Sequence, residues 1–110
     1  MEPTELEVQY DDWHAVHDHM GKTLRVYGNC TIPSGGFAAS LQPRDEQGVN
    51  PRSLLINLRF APTGESPVNQ ALEYEQAWND DGIQYEEVAA VVVGDISAPA
   101  PDALPVEDAY

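Results

Sequence analysis

The sequence predicts an all-β protein, an antiparallel immunoglobulin-like sandwich of six or seven strands, with a small β-barrel as the alternative. Apolar and polar residues alternate in one segment after another, Gly and Pro punctuate the chain between those segments, and no stretch shows a secure helical period. The clearest segment is 53–61, SLLINLRFA. Leu54, Ile56, Leu58 and Phe60 share one side of an extended strand there, and Leu55, Asn57 and Arg59 share the other. Burying four such side chains contributes roughly 1.5–3 kcal/mol each, which makes this strand the expected centre of the core.

The remaining elements follow in order. Residues 5–10 place Leu6, Val8 and Tyr10 on one side, as a half-buried strand does. Residues 11–19, DDWHAVHDH, put Trp13 and Ala15 on one face and His14 and Val16 on the other if extended. Met20, Gly21 and Lys22 form a turn. Alternation resumes over 23–32 with Leu24, Val26, Cys30 and Ile32 on one face, where Gly28 interrupts the apolar series and points to a bulge or a close crossing. Pro33, Ser34, Gly35 and Gly36 turn the chain into a short strand lined by Phe37, Ala39 and Leu41, so that 23–42 read as a hairpin. Residues 42–52 form a long loop without apolar periodicity.

The segment 68–79 fits a strand or a helix. A strand is preferred, because Asp81-Gly82 is a favoured hairpin turn and 83–93 beyond it are extended. The later half of 83–93 is apolar on both sides and should be interior. Residues 1–94 are therefore expected to form a single domain, and 95–110, rich in Pro, Ala and acids, a flexible tail.

The stretch GNCTIPSGGF at 28–37, Leu41-Gln42-Pro43, and Gly48-Val49-Asn50-Pro51 followed by Leu54-Leu55 resemble a group of small uncharacterised bacterial proteins. These share such a glycine, a proline-glycine turn before an aromatic, and a G-x-N-P loop ahead of a leucine-rich strand. The resemblance spans roughly residues 22–93; it implies a β-sandwich and brings no catalytic residues.

Charge excludes some functions. Nineteen acidic residues against five basic ones give a net charge of −14. Arg25, Arg44, Arg52 and Arg59 are scattered, so no basic stripe can displace counterions from nucleic acid or hold an anionic membrane. Cys30 is the one cysteine, which rules out an intrachain disulfide and a Cys-based zinc site and suits a reducing compartment. The opening MEPTELEVQYDD has neither the positive nor the apolar segment of a signal peptide, and no apolar run approaches a membrane span, so a cytoplasmic location is expected.

His14, His17 and His19, flanked by Asp11, Asp12 and Asp18, are the candidate metal ligands, since imidazole and carboxylate suit zinc, nickel or copper. In a strand His17 and His19 point to one side and His14 to the other. Arg44 and Arg52 are candidates for partner or anion contact in the 42–52 loop, with Asp45 and Glu46 as local ion-pair partners. Asp80, Asp81, Glu86 and Glu87 border the expected hairpin but lack the alternating pattern of a calcium loop. Cys30 lies on an apolar face, as an inert core thiol does. No catalytic constellation and no cofactor motif emerge. The expected function is a non-enzymatic protein-interaction module that works through a strand edge or the 42–52 loop. The alternative is a metal-binding protein or metal-dependent enzyme using the 14–19 histidine cluster.

Overall fold

A computed structural model describes residues 4–65, 67–78 and 84–109. Strands account for all the regular structure among them: β1 (Thr4–Glu5), β2 (Gln9–Asp18), β3 (Thr23–Thr31), β4 (Phe37–Pro43), β5 (Ser53–Pro62), β6 (Asn69–Ala77), β7 (Glu87–Val93), β8 (Ile96–Ser97) and β9 (Leu104–Ala109). The all-β class is therefore as expected. The segment at 69–77 is a strand, and Leu54, Ile56, Leu58 and Phe60 of β5 are all buried.

The architecture differs from the expected sandwich. Seven strands form one mixed sheet in the order β4-β5-β7-β9-β2-β3-β6, and β1 and β8 make a separate parallel pair. The sheet curls until its two edge strands, β4 and β6, lie against each other, so it is nearly closed into a barrel. Gln70 of β6 spans the seam: its amide nitrogen donates to the Phe37 carbonyl at 2.6 Å, and its oxygen accepts from the Ala39 N–H at 3.0 Å. Two pairings in the sheet, β5 with β7 and β2 with β9, are parallel.

Both expected hairpins are corrected. β3 does not pair with β4; it lies between β2 and β6, while β4 pairs with β5. β6 and β7 do not pair either, and the Asp81-Gly82 turn falls outside the described residues. Alternation fixes which face of a strand is buried but not which strand lies beside it. The connection through Gly35 (φ 65°) and Gly36 (φ 75°) carries the chain across instead of back, and the Gly36 carbonyl accepts from the N–H groups of Thr63 and Gly64. β7 lies between β5 and β9, interior in the sheet order, but only Val88 is buried and 89–93 are half-buried, so its later half is not covered on both sides as expected.

The expected flexible tail contains β9, which pairs with β7 on one side and β2 on the other. Leu104 and Val106, two apart, face the core, and Pro105 between them obscures the alternation.

The interior is filled in two layers along a molecule of 45 × 27 × 19 Å. One holds Ala15, Leu24, Val26, Leu54, Ile56, Tyr74, Trp78 and Val88. The other holds Leu6, Val8, Cys30, Ile32, Leu58, Phe60 and Leu72. Trp13 packs against both. It reaches that position through a bulge between Asp11 and His14, where Asp12 adopts φ 55° and two residues of β2 oppose Gly28 alone. The Trp13 indole covers Gly28 and donates to the Asn29 carbonyl at 2.9 Å, so the interruption at Gly28 marks a close crossing.

Candidate metal centre

β2 presents Trp13, Ala15 and His17 to the interior and His14 and Val16 to the outside, as a period of two requires. His17 is fully buried at the end of the core layer that holds Trp78; the two rings stack at 3.6 Å between centroids, inclined by 30°. His19, two residues on, opens the turn to β3, and its ring lies 3.9 Å from that of His17. The Asp18 carboxylate shapes this turn by accepting from the N–H groups of Met20 and Gly21, both at 3.1 Å. The turn expected at Met20 to Lys22 is thus present, with Lys22 at φ 54°.

The third member comes from β9. Parallel pairing sets Asp108 directly beside His17, and the Ala109 carbonyl accepts from the His19 N–H at 2.9 Å. One oxygen of Asp108 then lies 2.8 Å from His19 Nε2 and 3.7 Å from His17 Nδ1. A ligand atom from each of His17, His19 and Asp108 lies within 4.8 Å of the other two. Donors about 2.1 Å from a tetrahedral ion lie about 3.4 Å from one another, so an ion would have to draw the widest-spaced of these atoms together by up to about 1.4 Å. Two imidazoles and one carboxylate suit a borderline transition ion such as zinc, nickel or copper and leave further coordination positions open. Asp108 is half exposed, whereas His17 is fully buried, so the group lies at the boundary between core and solvent.

His14 does not join this group. It lies on the outer face, with Nδ1 3.5 Å from a Glu107 oxygen and its ring against Tyr27. Of the expected ligands, the structure thus brings together His17 and His19, adds Asp108 and leaves His14 apart. Asp108 escaped the sequence reading because 95–110 read as a tail; the signal that could have found it is the Leu104 and Val106 alternation just before it.

Arg44 and Arg52 do not converge either. Arg44 donates to the Asn57 side chain at 3.0 Å and lies 3.9 Å from Glu46, whereas Arg52 pairs with Glu86 at 2.8 Å. Gln47 in the same loop both accepts from and donates to the Leu55 backbone, much as a neighbouring strand would, and so laces the loop to β5. Asp80 and Asp81 lie outside the described residues. Burial pushes the Cys30 thiol above its ordinary pKa, which keeps it protonated and inert among apolar neighbours.

No family model matches this chain, and no curated protein or solved structure matches it. No helix among the described residues is long and apolar enough to cross a membrane.

Proposed function

We propose that this protein binds a divalent transition metal ion at one end of its barrel through His17, His19 and Asp108. The observation that carries the reading is the convergence of two imidazoles, one from β2 and one from the turn that follows it, and a carboxylate from β9, about ninety residues away in sequence, on a single position. The surface charge of −14 supports it by concentrating cations near the rim. The seam between β4 and β6 offers strand edges for protein contact, but among the described residues nothing along it selects a partner, so metal binding is the stronger reading. A cytoplasmic location is supported by the single buried thiol of Cys30, which needs no oxidising environment.

The test is equilibrium dialysis of the full, tag-free chain, stripped with chelator, against zinc(II), with cobalt(II) absorption reporting the ligand set. About one ion per chain is expected. His19→Ala and Asp108→Asn should each weaken binding about tenfold or more, while His14→Ala should leave it unchanged. Equal weakening by His14→Ala, or a wild-type chain that binds no better than His19→Ala, would overturn the assignment.

A further inference from the structure

Through its ladders β9 joins the β4-β5-β7 part of the sheet to the β2-β3-β6 part, which otherwise meet at the β4–β6 seam. Its hold on that position is slight. It pairs with β7 only at Glu87 with Pro105 and Val88 with Leu104, next to the bond from the Val106 N–H to the Glu86 carbonyl. Pro105 has no N–H to give to a ladder. Only Leu104 and Val106 of β9 pack on the core, and both are partly buried. Glu107 and Asp108 place two of the nineteen acidic side chains of a −14 chain on this one short strand. The longer of its two ladders is the parallel one to β2, from Ala15 with Val106 to Asp18 with Ala109; it contains His17 and Asp108, and His19 follows directly after it, its N–H bonded to the Ala109 carbonyl.

Resting on the metal-binding reading above, we propose that the ion is a clasp: occupancy of the His17, His19 and Asp108 centre locks β9 into the slot between β7 and β2 and so controls closure of the barrel. With β9 in place the ion has three protein ligands; with β9 out of the slot only His17 of β2 and His19 of the following turn remain. An ion that prefers the three-ligand state must, by reciprocity, favour that state by the same factor. If losing the carboxylate weakens zinc binding about tenfold, saturating zinc should reduce the opening of β9 about tenfold as well.

Hydrogen–deuterium exchange of the full chain, with and without saturating zinc(II), reads this directly. Amides of 104–109 are expected to exchange about tenfold more slowly with zinc, while those of β5, which does not pair with β9 or β2, change much less. In Asp108→Asn, which keeps the size of the side chain, zinc held by the two histidines should leave 104–109 unprotected. Zinc bound stoichiometrically with no slowing at 104–109, the same slowing in Asp108→Asn, or slowing spread evenly through β5 would each overturn the clasp while leaving the metal centre standing. Absence of zinc binding to the wild-type chain would overturn the metal centre and the clasp together.

Discussion

Trp13 and Gly28 depend on each other across the β2–β3 ladder. A Cβ added at Gly28 would lie 2.6 Å from Trp13 Cδ1 and closer still to Cγ and Cδ2, within the rigid indole and not against the end of a flexible chain. Gly28→Ala is therefore expected to destabilise the fold by about 1–3 kcal/mol, as overpacking does, read as a shift of the urea midpoint. The same change made on a Trp13→Ala background should cost much less, and equal costs on the two backgrounds would show that the indole is not the obstacle. The gap in the apolar series at Gly28 was legible in the sequence, but the group that fills it was not. That group arrives through the φ 55° of Asp12, and a positive φ at a non-glycine residue leaves no mark on alternation. His17 and His19 show the same division. Their two-residue spacing placed them on one face and His14 on the other, while their carboxylate partner depended on a pairing with β9 that no local pattern encodes.

Among the elements, β4 and β6 meet through a side chain where a ladder would otherwise run. Gln70 binds Phe37 and Ala39 of β4 and also donates to the Pro67 carbonyl at 3.0 Å, so one amide group joins both margins of the seam. Gln70→Leu keeps much of the volume and leaves the Ala39 N–H and the Phe37 carbonyl without that partner; a loss of about 1–3 kcal/mol is expected by chemical denaturation. Exchange of the Ala39 amide should quicken as well, and an unchanged Ala39 rate would mean that the seam is held by other contacts. Strands β3, β5 and β7 were legible because each alternates over its length or is apolar on both sides. Their neighbours were not, since a Gly-rich connection such as 33–36 can carry the chain back beside its own strand or across to another, and the two anchors of β9 flank a proline.

At the scale of the whole molecule, a net charge of −14 on 110 residues makes self-repulsion a general burden on the compact state. Raising sodium chloride from 0.1 to 1 M shortens the Debye length from ~10 to ~3 Å and should raise the melting temperature by several degrees. Calcium chloride at matched ionic strength should do the same and no more, because a hard cation seeks several oxygen ligands and the described centre offers mainly nitrogen. A gain at sub-millimolar calcium in thermal melts would contradict this. The place of β9 in the sheet also bears on how the protein comes into being. During synthesis every other strand of the barrel leaves the ribosome before residues 104–109 do, yet β7 and β2 have no common neighbour until those residues arrive. A nascent chain therefore displays two open strand edges, the Val-rich β7 among them, until residues 104–109 have emerged.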